Sequence, residues 1–242
     1  YIWAPGSTSE LEPLKQIHEE GYAVTITNGC TEPSFIPSYD GCYYNDNVSM
    51  CNTLSAVSKD AILELYADKI AAGEPLKIAL IVFDAISIEY SDVRVNAILK
   101  NLDDAGIKYE VVARQDATEQ DVAIQVASDI LTANPQIDAV FSMDDETSIG
   151  ALQAIRDAGR TDIKVITGGG GCQEWFNMML ADENQDIWLQ SDLYSPVMVE
   201  DAVDMALDIL NGNAPEDPVK IIPTERVDRE NAADYLDENS PY

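Results

Sequence analysis

Short apolar runs alternate along the chain with longer stretches of helical period, and the alternation predicts the elements. Lys77–Phe83 (KIALIVF) is almost unbroken in apolar character and reads as a strand buried on both faces. Ile137–Phe141 reads the same way. Weaker β-branched runs fall at Tyr22–Thr27, Tyr109–Arg114, Lys164–Thr167, Ile187–Leu189 and Val219–Ile222, and Tyr1–Trp3 suits the end of a further strand. Helical period is read at Glu10–Glu20, Leu54–Ala72, Val93–Ala105, Thr118–Ala133, Ala151–Ala158, Glu174–Leu180 and Pro196–Leu210, with a short helix at Asn231–Leu236. Stop signals follow several of these, at Gly21, Gly73, Gly106, Gly159 and Gly212. Pro5 and Gly6 mark a turn, and Ser7–Ser9 offer a cap for the first helix. Strands separated by helices predict the α/β class, with a mostly parallel, doubly wound sheet.

Two stretches break the rhythm. Cys30–Met50 is rich in Pro, Gly, Asn, Asp, Ser and Tyr, with only Cys42-Tyr43-Tyr44 resembling regular structure. A loop of that length is unusual in a compact domain and is often functional. Asp84–Asp92 is expected to be a second loop, at the carboxyl end of the strongest strand.

Charge and cysteine content narrow the picture. The 242 residues hold 44 acidic and 14 basic side chains, a formal charge of -30. Such a surface repels nucleic acid and anionic membrane, so neither is expected as a partner. No run approaches a membrane span. Cys30, Cys42, Cys51 and Cys172 permit two disulfides in three pairings, as an oxidising compartment would favour, while four reduced thiols fit the count equally. The spacing lacks CxxC, and His18 is the lone histidine, so neither a metal nor another cofactor is implied. His18 is expected to be exposed on its charged helix.

The acidic triplet Asp144-Asp145-Glu146 directly follows the strand Ile137–Phe141. Ligands of open α/β sheets bind at strand carboxyl ends, which makes Asp144 a candidate contact. Asp145 and Glu146 are better read as favouring the N-terminus of the next helix. Arg94 is a rare cation near a helix start, where the dipole disfavours it, so a partner is implied. Its donor fork suits vicinal hydroxyls or a carboxylate. Asn28, Thr118 and Gln190 also fall at strand ends or adjacent turns, giving the makings of a polyol pocket without an obvious general base or nucleophile. Gly168–Gly171 lacks the residues of a phosphate loop and is read as permitting close backbone approach. Cys172 has no histidine nearby in sequence to activate it. A paired-carboxylate glycoside hydrolase is an alternative that the abundance of acids supports only weakly.

Four segments in order carry a family resemblance: GYAVTITNG (21–29), IDAVFSMDDETSIGALQAI (137–155), DIKVITGGGG (162–171) and VEDAVDMALDILNG (199–212). Together they resemble the type 1 periplasmic solute-binding proteins of sugar ABC importers, in the ribose-binding branch. The resemblance implies two doubly wound parallel-sheet lobes and a solute held in a cleft between them. It implies an N-terminal lobe at 1–45 plus 191–225, incomplete at its start, and a C-terminal lobe at 46–190 plus 226–242. Crossovers are expected near Tyr44–Asp46, Gln190–Asp192 and Pro223–Val227.

The resemblance places ligand contacts at Arg94, Asp144, Asn28, Gln190, Thr118 and Gly169. Arg94 and Gln190 match the family pattern; Asp144 and Asn28 exchange acid for amide; Thr118 replaces an aromatic ring and Gly169 an aspartate. Those departures turn the expectation from ribose towards another sugar, polyol or hydroxylated metabolite. Phe83, Tyr90, Trp175 and Trp188 are the candidate aromatic contacts. The implied partners are a small carbohydrate or polyol and an ABC importer permease, for a monomer that does no chemistry. The implied location is periplasmic, or extracellular and anchored as a lipoprotein in a Gram-positive host, with the signal segment outside this chain. A sugar-sensor domain outside the cytoplasm is the nearer alternative.

Overall fold

A computed structural model describes residues 1–3, 10–29, 38–45, 47–194, 198–240 and 242. The turn at Pro5 and Gly6, the Ser7–Ser9 cap, residues 30–37 (Cys30 included) and 46 of the segment read as a long loop, and Pro196 lie outside the described residues. The chain divides into two compact units, residues 1–50 with 194–224 and residues 51–193 with 225–242.

The smaller unit has a parallel four-stranded sheet. In chain order its strands are β1 (Ile2–Trp3), β2 (Ile26–Gly29), β3 (Gly41–Asn45) and β9 (Val219–Ile222), which is also their spatial order. Helix α1 (Leu11–Glu19) buries Leu14, and α8 (Val199–Leu210) packs Ala202 and Met205 on Ile26. Two expectations are corrected here. The strand read at Tyr22–Thr27 begins only at Ile26, and Gly41–Asn45, read as loop, is an internal strand paired with β2 and β9. His18 is not simply exposed: its Nδ1 lies 3.0 Å from Thr25 Oγ1 and 3.3 Å from Asp40.

The larger unit carries the site. Its strands are β4 (Leu76–Val82), β5 (Tyr109–Asp116), β6 (Ala139–Ser142), β7 (Val165–Thr167), β8 (Trp188–Leu193) and β10 (Glu225–Asp228), in spatial order β10-β8-β7-β6-β4-β5. All neighbours are parallel except β10 against β8. The period of two sorts side chains to opposite faces. Ala79, Ile81, Val140, Ile166 and Leu189 join one core with helices α5 (Gln120–Ala133), α6 (Asp145–Asp157) and α7 (Gln173–Leu180). Ile78, Leu80, Val82, Phe141 and Val165 join the other with α2 (Asn47–Leu65) and α4 (Ile88–Asp104). A short helix α3 (Ala67–Ala71) follows α2. Helices on both faces explain why β4 is apolar at every position but Lys77.

Helix boundaries differ from the sequence reading at α2, which starts at Asn47 rather than Leu54, and at α4, which starts at Ile88 inside the expected loop. Ser87 accounts for the second difference, because its hydroxyl accepts the Tyr90 N–H at 3.2 Å. The strand expected at Ile187–Leu189 runs on to Leu193, extended by β10, which the sequence reading did not contain. The helix expected at Asn231–Leu236 is a 3-10 turn at Ala232–Tyr235.

Candidate functional site

The order of strands places a switch point between β4 and β6. From β4 the chain goes outward to β5, then returns to lay β6 on the other side of β4 and continues away through β7 and β8. Connections therefore leave the two central strands in opposite directions, which opens a crevice at their carboxyl ends. Two elements meet there: α4, which follows β4, and the end of β6 with the start of α6.

Arg94 sits nearly two turns into α4, beyond the Ser87 cap. Ser91 ties the helix back to its strand by accepting the Phe83 N–H at 3.0 Å. Arg114 on β5 adds a clasp, donating from Nε and Nη2 to Asp84 at 2.9 and 2.7 Å and from Nη2 to Asp92 at 2.8 Å. Arg94 is only 5% exposed. Its Nη1 donates to the Met143 carbonyl at the end of β6, so the side chain bridges the switch point. Its Nη2 donates to Tyr90 Oη at 2.7 Å, and the guanidinium lies 4.9 Å from the Tyr90 ring centre.

The acidic triplet separates into distinct roles. Asp144 is the N-cap of α6, accepting from the Thr147 N–H at 2.8 Å and the Thr147 hydroxyl at 2.7 Å. Burial pushes its carboxyl up, against the pull of Thr147 and Arg94. Asp145, read from sequence as helix decoration, is wholly buried. Its Oδ2 accepts from Gly171 N and Cys172 N, both at 2.9 Å, and from Ser191 Oγ at 2.7 Å, while Oδ1 has no hydrogen-bond partner among the described residues. Burial pushes Asp145 up to about 7. The glycine run serves this latch. A Cβ at Gly168 would stand 2.5 Å from Asp145 Oδ1, so only glycine lets α6 approach the end of β7.

Gln190 on β8 is fully buried. Its carbonyl accepts from Gly168 N at 2.8 Å and from the Trp175 indole at 3.2 Å, and its carboxamide oxygen accepts from Ser58 Oγ at 3.3 Å. Two residues on, Asp192 is also buried, and its backbone carbonyl accepts from Gly170 N at 2.7 Å. Burial pushes the Asp192 carboxyl well above the usual range; Arg94 opposes that, Asp145 adds to it, and a hydrogen bond from Gln190 opposes it.

These groups line a cavity of about 30 Å³ whose walls include Ser55, Ser58, Arg94, Met143, Gln190 and Asp192. That volume accepts a water or two, or single hydroxyl groups, and not a sugar ring. The cavity is a small niche with Arg94, Gln190 and Asp192 in its walls.

Of the residues singled out from sequence, Arg94 and Gln190 line this niche, Tyr90 is held against Arg94, and Asp144 follows the lining residue Met143. Phe83 is buried at the end of β4 among core residues. Thr118 lies in the turn before α5 and does not line the cavity, and Gly169 contributes its carbonyl to the Asp145 N–H at 2.8 Å. Trp175 is wholly buried, a core residue whose indole supports Gln190, so it is not a stacking face for solute. Trp188 opens β8 at the amino end of the strand, away from the carboxyl edge. Asn28 belongs to the smaller unit, where it is buried and its Oδ1 has no hydrogen-bond partner among the described residues. No disulfide joins the described cysteines: Cys42 lies within β3, Cys51 lines the cavity and Cys172 caps α7. Burial pushes the Cys42 and Cys172 thiols up, away from reactive thiolates.

Sequence reasoning missed Ser55, Ser58 and Asp192. Cys51, Ser55 and Ser58 stand at i, i+4 and i+7 on one helical face; the two serines fell inside the helix read from Leu54, and Cys51 joins their face because α2 begins at Asn47.

A family profile described as a periplasmic binding protein domain matches residues 2–214. The chain belongs to the periplasmic binding protein domain family. Among curated relatives of this periplasmic binding protein, the ribose import binding protein of Salmonella typhimurium is 38% identical over 63 residues, covering 26% of this chain and 21% of that protein. The xylitol-binding protein of Mycolicibacterium smegmatis is 29% identical over 132 residues, covering 51% and 36%. The chain thus spans about a fifth and just over a third of those relatives. An ABC transporter solute-binding protein from Bacillus halodurans with bound myo-inositol superposes with a TM-score of 0.77 at 17% identity, covering 97% of this chain and 76% of that one. At that identity the likeness establishes the fold. No helix among the described residues is long and apolar enough to cross a membrane.

Proposed function

We propose that this chain is an extracytoplasmic solute-binding protein that captures a sugar, polyol or related hydroxylated molecule and delivers it to the permease of an ABC importer. The observation that carries this reading is the buried Arg94 side chain, fixed by Met143 and Tyr90 across the switch point of the larger sheet. A guanidinium held in that way is a preorganised donor for solute oxygens, and Gln190 and Ser58 add amide and hydroxyl groups beside it. The matched curated proteins are named for ribose and xylitol, which supports a polyhydroxylated solute. The residues read as the N-terminal lobe correspond in this proposal to the smaller unit, and those of the C-terminal lobe to the larger. A monomer, anchored outside the cytoplasm, completes the reading; the charge of -30 argues against nucleic acid.

The test is thermal unfolding against pentoses, hexoses, alditols and inositols. Binding to the folded state raises the melting temperature in proportion to the logarithm of solute concentration above Kd. A specific, saturable rise for one class supports the proposal, with unchanged solute recovered afterwards. Turnover of a glycoside, or no response to any member, would overturn it.

A further inference from the structure

The niche has too few positive charges for its acids. Asp192 and Asp144 both feel the field of one guanidinium, that of Arg94, while Asp145 adds a further carboxyl behind them. Asp145 is satisfied by three donors on its Oδ2 atom, and Asp144 by Thr147. Asp192 has no such set. It is 6% exposed, lines the cavity directly, and makes no ion pair among the described residues; the Gln190 carboxamide is its named hydrogen-bond support. An ionised carboxylate at that depth is costly without a counter-ion, so burial keeps the group protonated until a cation is brought against it. The rest of the chain is a poor source, with 14 basic side chains against 44 acidic.

We infer that the missing cation comes with the solute: Asp192 is a specificity residue that pairs with a protonated amine, and the preferred ligand is an amino sugar or amino polyol. Arg94 and Gln190 hold the neighbouring hydroxyl oxygens, and the small cavity admits the ammonium group itself. The inference rests on the solute-binding reading above and narrows it to a cationic member of that class.

Matched probes separate the two. Glucosamine against glucose, galactosamine against galactose, and 1-amino-1-deoxysorbitol against sorbitol differ only in amine for hydroxyl. Titration calorimetry at neutral pH is expected to show at least about tenfold tighter binding for the amine of the pair that fits, in keeping with a charge-assisted bond to a buried carboxylate. Asp192→Asn keeps the shape and the Gln190 contact, and is expected to remove the amine preference while leaving the folded protein intact by circular dichroism. Asp192→Glu, which restores the charge, is expected to recover part of it. Equal or tighter binding of the hydroxyl members overturns the amine inference and leaves the solute-binding function standing, as does an amine preference that survives Asp192→Asn. Binding of none of these compounds, nor of any neutral polyol, overturns both.

Discussion

Asp145 holds three separate pieces of chain together, and its protonation sets how firmly. The carboxyl joins the start of α6 to the glycine run after β7 and to Ser191 on β8. Burial raises it to about 7 from the 3.8 of an ordinary aspartate, so the folded state keeps a proton that the unfolded chain has lost. For an acid raised in this way, stability falls as pH climbs from about 4 to about 7 and then levels. Asp145→Asn removes that titration while leaving an oxygen for the same donors. The variant is therefore expected to gain on the wild type as pH rises from 4 to 7, by melting temperature in a matched buffer series. A difference that stays flat across the window would show that the carboxyl titrates normally. Nothing in the sequence marks Asp145 out from its neighbours: three acids in a row look alike until one is enclosed. Asp192 was hidden in the same way, as one acid among 44.

Elements position the site through caps and close packing. Helix α4 carries Arg94, and its start depends on Ser87. Ser87→Ala is expected to cost about 1 kcal/mol, the usual worth of an N-cap, measured by urea unfolding. Helices α5 and α6 approach closely at Gly150, where a Cβ would stand 2.6 Å from the Gln120 carbonyl and 2.8 Å from Ala123 Cβ. Helix propensity alone would make Gly150→Ala stabilising by about 1 kcal/mol. Backbone on the facing helix cannot yield, so the substitution is expected instead to destabilise by about 1–3 kcal/mol in the same assay. Which elements were legible follows from how each is stabilised. Strand β4 declares itself because both of its faces are buried. Strand β3 does not, since its five residues owe their conformation to partners on either side, a tertiary effect. The first turns of α2 were missed because Asn, Ser, Cys and Thr are weak helix formers.

At the scale of the whole molecule, the charge of -30 acts on stability as well as on partners. Like charges repel in the folded state, and salt screens them, with a Debye length of about 10 Å at 0.1 M falling to about 3 Å at 1 M. The melting temperature is expected to rise between 20 mM and 1 M sodium chloride; a fall would mean that ion pairs such as Arg114 with Asp84 and Asp92 outweigh the general repulsion. The family and its fold were readable from four segments of sequence, because they include the apolar strands and helices that build the sheets. The niche was readable only in part, because its walls combine one rare arginine with small and common side chains. The most direct measurement is calorimetric titration of the wild type and of Arg94→Ala and Arg94→Lys with the solute that gives the largest thermal shift. Micromolar or tighter binding by the wild type, lost in the alanine variant and weakened at least about tenfold in the lysine variant, is the predicted result, since lysine cannot reproduce the donor fork. Equal affinity in all three, with each variant folded, would contradict the placing of the site at Arg94.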